Sequence, residues 1–399
     1  MFEYMTNQSY FSAAFASYPI TFLLREARAG RLQHSDRILE KLKAGTDGDM
    51  STTLHPHDFM EIVRENFNYI TANYPPGNPD YSWYSVLKLY QKMEHLVSKE
   101  DNDSIGLMEF DDKHESTRLV YGIGINKRLK RITVILRGTY AENTRDWYRN
   151  LQFGLVSVPL PEAARNQSST MNRPLDETST NLFVHRGIYE YLLHNSERGP
   201  DYPRERYEEI LGYLLSCLEE YPDYRIFITG HSLGGALALL LAFFACTDDR
   251  IPKPVTCVSL GSLLLGDRAF QKSFEQLEAL GWVRHLRITN QDDPIPRLPP
   301  FDWYKPVGMH LELLPKHGHL FEYHASPHSN NRNSFSGLWE SFQASGAASA
   351  GSVQKWFQPH FIPEYLQRLE RERPVLESIW LNDLYHESNI VGPNFQTRL

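Results

Sequence analysis

The sequence is poor in cysteine. Its 399 residues hold three, Cys217, Cys246 and Cys257, far apart and set in apolar runs. That spacing excludes a disulfide framework and predicts buried thiols in a reducing compartment. Long apolar stretches are also missing. The longest wholly apolar run is Ala236 to Cys246, too short for the ~20 residues of a membrane-spanning helix, so it predicts a buried core helix. There is no excess of positive charge: 41 basic residues face 49 acidic ones, a net charge of -8. This argues against a nucleic-acid partner and against electrostatic capture by an anionic membrane. The opening MFEYMTNQSYFSAAFASYP has neither a basic start nor a clean apolar core, so no secretion signal is read there. No internal repeat is present. What remains is ordinary globular composition, 41% hydrophobic, enough for a sizeable core and too much for wholesale disorder.

Residues 1–105 predict a helical extension. Phe59, Ile62, Val63, Phe67 and Ile70 recur on one helical face, and Trp83, Val86, Leu87, Tyr90, Met93 and Val97 on another, separated by the breaker-rich YPPGNPD. From about residue 117 the pattern changes. RLVYGIGIN and RITVILRG predict two adjacent strands around a KRLK turn. A polar stretch, 157–181, predicts a surface insertion. Tyr207, Ile210, Leu211, Leu214, Leu215 and Leu218 then form a helical stripe ending at Pro222. YRIFIT, PVTCVSL and WVRHLRIT are apolar strands without polar alternation, interleaved with helices. Such strands imply an α/β fold with a mostly parallel sheet covered by helices on both faces. Residues 325–352 predict a flexible connection, and 386–399 a C-terminal tail. The main domain is thus expected over 106–385.

Chemistry concentrates at Gly230-His231-Ser232-Leu233-Gly234. This G-x-S-x-G follows an apolar strand and opens an Ala/Leu-rich helix. A turn that sharp would strain the backbone at Ser232, leave no room for side chains at Gly230 and Gly234, and lift the hydroxyl above the sheet. It would also put the Leu233 amide at a helix N-terminus, where a developing oxyanion is favoured. A serine nucleophile needs a base, and the base needs an orienting carboxylate. Asp293 follows a strand downstream, at the edge where α/β sheets build their sites, although an aspartate before Pro294 also suits an ordinary turn. His310, His317, His319, His324, His328, His360 and His386 follow it. His360 stands before a helix with Ile362, Tyr365, Leu366 and Leu369 on its face. The cluster KHGHLFEYHASPH, 316–328, fits no metal-ligand spacing and predicts a loop with solvated or hydrogen-bonded histidines.

Taken together, these pieces resemble the fungal-type, or class 3, lipases of the α/β-hydrolase superfamily. The elbow is one match. VILRGTYAENTRDWYRNLQF (134–153) resembles the family's strand, oxyanion turn and lid helix. VHRGIYEYL (184–192) resembles its V-H-x-G-F segment, ITNQDDPIPRLPP (288–300) its D-x-x-P acid loop, and PHFIPEYLQRL (359–369) its histidine segment. The likeness runs from about Arg118 to Leu369. It implies an α/β-hydrolase fold with Ser232 as nucleophile, Asp293 rather than Asp292 as acid, and His360 as base. It further implies Thr139 as a second oxyanion donor beside Leu233, and a lid carrying Trp147, Tyr148, Leu151 and Phe153. One departure is Gly261-Ser262-Leu263-Leu264-Leu265-Gly266, with Leu-Leu where the family has Pro-Arg. The expectation is an intracellular, cytoplasmic enzyme cleaving acyl esters of glycerolipids without metal or organic cofactor, with transient contact to lipid surfaces. The alternatives are an acyltransferase using the same triad and an inactive lipid- or partner-binding scaffold.

Overall fold

The computed structural model describes residues 20–43, 56–73, 106–111, 119–138, 154–161, 181–193, 205–323, 357–376, 378–379, 381, 384 and 397–398. The centre is a nine-stranded sheet ordered β1-β2-β3-β6-β7-β8-β9-β10-β11. Its strands are β1 (Gly106–Asp111), β2 (Tyr121–Asn126), β3 (Arg131–Leu136), β6 (Arg225–His231), β7 (Val255–Leu260), β8 (Val283–Asn290), β9 (Met309–Leu313), β10 (His319–Tyr323) and β11 (Thr397–Arg398). The pairs from β3 through β9 are parallel, and both flanks are antiparallel. Strands β2, β3 and β7 are buried along their whole length, because helices cover both faces. A separate ribbon pairs β4 (Leu155–Pro159) with β5 (Asn181–His185).

One face is covered by α5 (Arg186–Leu193), α6 (Glu205–Glu220), α7 (Leu233–Ala245) and α8 (Arg268–Ala279), packed on Ile123, Val134, Ile228 and Cys257. Helix α7 is apolar all round and buried apart from Phe244, as befits a helix enclosed by sheet and neighbours. The other face, with Leu260, Leu286, Ile288 and Leu311, takes the N-terminal helices and α9 (Ile362–Leu376). Those N-terminal helices are α1 (20–28), α2 (Ser35–Lys43), α3 (Pro56–Glu65) and α4 (Phe67–Asn73). They contribute Phe22, Leu23, Ile38, Ile62, Val63 and Ile70 to that core. A buried carboxylate ties them together: Glu26 accepts from Arg31 at 2.7 and 2.8 Å and from the Tyr69 hydroxyl at 3.0 Å.

Three sequence expectations change. Ser157–Pro159 lies in β4 and Asn181 opens β5, so the ends of the expected 157–181 insertion are paired backbone. Within the expected 316–328 loop, His319–Tyr323 is strand β10, and His319 is buried with Nδ1 3.0 Å from Glu372. Within the expected tail, Thr397–Arg398 pairs with β10. The stretch around Trp83–Val97 and the connection 325–352 lie outside the described residues. All three cysteines are buried free thiols. Among the described residues, no helix is long and apolar enough to cross a membrane, and no cluster of His, Cys, Asp and Glu could hold a metal ion.

His185 and His285 are among the histidines sealed inside this fold. Burial pushes His285 down to about 3, helped by Arg287 and opposed by its bond to the Val307 carbonyl. Burial likewise pushes His185 down to about 4. Both stay neutral in the folded chain near pH 5.5, whereas the unfolded chain would protonate them below about 6.5. Their contribution is therefore complete above that value and is lost as pH falls toward the folded values. Each loses about 1.4 kcal/mol at pH 5.5, so these two alone should lower stability there by about 3 kcal/mol relative to pH 7.5. Urea denaturation at the two pH values checks this. Stability that held or rose on acidification would contradict it.

Candidate active site

Strand β6 runs directly into α7 with Ser232 between them. Ser232 has φ 59° and ψ -126°, a left-handed conformation that costs a non-glycine residue roughly 1–3 kcal/mol. The turn is held by the Ser232 amide donating to the Leu260 carbonyl at 2.9 Å and by the Gly235 amide donating to the Ser232 carbonyl at 3.0 Å. Two glycines are required by close approach rather than by φ. A Cβ on Gly230 would lie 2.7 Å from the Leu136 carbonyl oxygen and inside contact of the Gly234 backbone. A Cβ on Gly234 would lie 2.8 Å from the Arg137 carbonyl carbon and 2.9 Å from the Gly138 nitrogen. The elbow is therefore pressed on the end of β3.

The hydroxyl so presented meets an imidazole. His360 Nε2 is 2.8 Å from Ser232 Oγ, and His360 Nδ1 is 2.8 Å from Asp293 Oδ2. This network assigns the proton to Nδ1, leaving Nε2 as acceptor for the serine hydroxyl. His360 ends a 3-10 turn, Gln358–His360, just before α9. Asp293 follows β8 and is 1% exposed. Its Oδ1 accepts from the Ile295 amide at 2.9 Å, and its Oδ2 accepts also from the Tyr365 hydroxyl at 2.7 Å. Burial, followed by the Asp293 charge, holds the Tyr365 phenol well above its ordinary value, so it stays a donor. The neighbouring Asp292 goes elsewhere, pairing with Arg368 at 2.6 and 3.1 Å. Ser232, Asp293 and His360 thus form one chain of contacts.

The Leu233 amide opens α7 beside Ser232, at the end where first-turn N–H groups lack intrahelical partners and the dipole is positive. Thr139, Trp147, Tyr148, Leu151 and Phe153 lie outside the described residues. The departing loop Gly261–Gly266 is firmly tied: Leu264 donates to the Leu298 carbonyl at 2.8 Å, His185 donates to the Leu265 carbonyl at 2.7 Å, and Leu263, Leu264 and Leu265 are buried. Three further residues touch the centre: Tyr365, Asn290 and His231. Tyr365 had a signal, a phenol on an otherwise apolar helix face. Asn290 and His231 had none beyond their places at strand ends.

Chemically, a hydroxyl bonded to an imidazole that is itself bonded to a buried carboxylate is built to lose its proton while attacking an electrophile. Residues 133–303 match the family model described as lipase (class 3). Over this segment the chain is similar to the class 3 lipases. Its fold is that of an α/β-hydrolase, with the elbow serine at the carboxyl edge of a mostly parallel sheet. The chain is 31% identical over 195 residues to phospholipase A1-II 6 of Oryza sativa subsp. japonica, covering 46% of this chain and 43% of the relative. It is 32% identical over 173 residues to phospholipase A1-IIgamma of Arabidopsis thaliana, covering 41% and 37%. The chain thus spans less than half the length of these curated relatives. Among solved structures it aligns with Lip2 lipase from Yarrowia lipolytica at 24% identity and a TM-score of 0.40, over 52% of this chain and 66% of that one.

Proposed function

We propose that the protein is a serine carboxylic-ester hydrolase of the lipase type, acting on acyl esters of glycerolipids. The observation that carries this reading is the unbroken sequence of contacts from Ser232 through His360 to Asp293, at 2.8 and 2.8 Å. Ser232 Oγ attacks the ester carbonyl while His360 Nε2 takes its proton. Asp293 holds the ring and stabilises the imidazolium. The Leu233 and Thr139 amides receive the oxyanion, each donor worth about 3–4 kcal/mol in the transition state. His360 then returns the proton to the leaving alcohol, and the acyl group rests on Ser232. Water activated by His360 releases the acid. The sequence requires no metal and no organic cofactor.

The names of the relatives, phospholipase A1 in rice and Arabidopsis, support glycerolipid esters as the substrate class. The buried free thiols support an intracellular setting. Trp147, Tyr148, Leu151 and Phe153 complete the reading as a short lid over the acyl site. Purified protein is expected to release nitrophenol from 4-nitrophenyl butyrate and fatty acid from phosphatidylcholine vesicles. Inactivity on both, and on a panel of acyl esters of varied chain and head group, would overturn the reading.

Contact with a lipid surface has its own support. Phe301 and Trp303 are 36% and 53% exposed, and their rings stack at 4.6 Å and 5°. They stand a few residues beyond Asp293, held by the fully buried Tyr304. Aromatic side chains in such a place suit a water–lipid boundary. Replacing both by Ser should lower turnover of vesicle phospholipid about tenfold, equivalent to about 1.4 kcal/mol of binding. Hydrolysis of soluble 4-nitrophenyl butyrate should stay within twofold. Equal effects on the two substrates would rule out a surface role.

A further inference from the structure

The 3-10 turn that carries His360 is gripped through two consecutive backbone carbonyls. The Pro359 oxygen accepts from Asn290 Nδ2 at 2.7 Å, and the His360 oxygen accepts from His231 Nε2 at 2.9 Å. Both donors are the last residues of their strands, β8 and β6. Strand β7 lies between them, and its end is followed by Gly261, at φ 56°. A Cβ there would sit 3.1 Å from His360 Cε1 and 3.2 Å from Nδ1, so the base lies directly over this glycine. The His231 ring also rests against the His360 ring, centroids 4.7 Å apart and planes 31° apart. The dipeptide His231-Ser232 therefore holds His360 twice, by its backbone through residue 231 and by its ring through residue 232.

Resting on the assignment of His360 as the base, we infer that His231 and Asn290 are positioning residues that fix the imidazole by clamping the backbone beneath it. The geometry makes this necessary. His360 reaches the elbow from 128 residues away in sequence, and among the described residues its ring bonds are those to Ser232 and Asp293. A ring with two hydrogen bonds but a loose backbone can rock about the line joining them. Bonds to successive carbonyls, made from two strand ends, remove that freedom. His231 serves without competing for the proton: burial first, and then the neighbouring His360, keep it neutral. Its Nε2 must carry hydrogen to bond a carbonyl, which a neutral ring allows.

The test uses the full chain and 4-nitrophenyl butyrate. His231→Phe keeps a ring and loses the N–H. It should lower kcat about tenfold with KM within twofold. Asn290→Ala should act alike. His231→Gln, neutral and with an N–H of similar reach, should recover most of the rate. On a His360→Ala background neither change should lower the residual rate further, because no ring remains to be held, whereas a merely structural role would persist there. Thermal denaturation monitors folding, and Asn290→Ala with His231→Gln carries the test if His231→Phe does not fold. A folded His231→Phe or Asn290→Ala with kcat within twofold of the parent, or a loss that persists on the His360→Ala background, overturns the inference. A parent protein that hydrolyses no ester and takes no fluorophosphonate overturns the functional reading and this inference with it.

Discussion

Ser232→Ala is expected to lower kcat for acyl-ester hydrolysis by about 10⁴–10⁶ while leaving the protein folded. The substitution removes one oxygen from a side chain already packed to 7% exposure, and alanine fills the same space. What disappears is the attacking atom and with it the acyl-enzyme route. The residual rate should be that of water attack assisted by the proposed Leu233 and Thr139 donors and by substrate binding. His360→Ala should cost a similar factor, and the double variant should be no worse than either alone, because the members act as a unit. Losses that multiplied in the double variant would mean that the two side chains work independently, against the 2.8 Å contact between them.

Gly234→Val should abolish folding, or destabilise the chain by more than about 4 kcal/mol, beyond the usual range for a point change. The reason is steric and lies outside the chemistry. Even the first atom of a side chain there would fall on the backbone of Leu136, Arg137 and Gly138. That backbone cannot retreat, because β3 is paired on both sides, with β2 and with β6. Gly212 offers the contrast. It lies on the exposed side of α6 with nothing within 4 Å of a built Cβ. Gly212→Ala should therefore raise stability by up to about 1 kcal/mol, through helix propensity alone. Denaturant midpoints for the two variants separate the cases, and a Gly234→Val protein as stable as the parent would refute the packing of the elbow against β3.

The central strands were legible because they are short, largely apolar segments set between helices, although β8 also carries Arg284, His285 and Arg287, and the elbow because strand, turn and helix are contiguous in sequence. The choice of Asp293 over Asp292 depended on the D-x-x-P resemblance, and the geometry separates the two: one carboxylate meets His360, the other Arg368. The flanks were harder. Strand β10 carries His319 and Glu322, and only Phe321 and Tyr323 on its core face mark it as paired. Its partner β11 has two residues, too few for any period. Strands β4 and β5 flank a polar stretch, and their alternations are two residues each, Val156 and Val158 in one and Leu182 and Val184 in the other. The bonds from Asn290 and His231 to the turn at residues 359 and 360 span 69 and 129 positions, so no local pattern announces them.

The central claim is that the Ser232 hydroxyl is activated by its neighbours. A fluorophosphonate probe reads this directly, since it reacts with an activated serine and ignores ordinary ones. Peptide mapping after labelling of the folded protein should place one adduct on Ser232, with labelling lost on prior heat denaturation and sharply slowed in His360→Ala. Folded protein that takes no label, or takes it at another serine, would contradict the account.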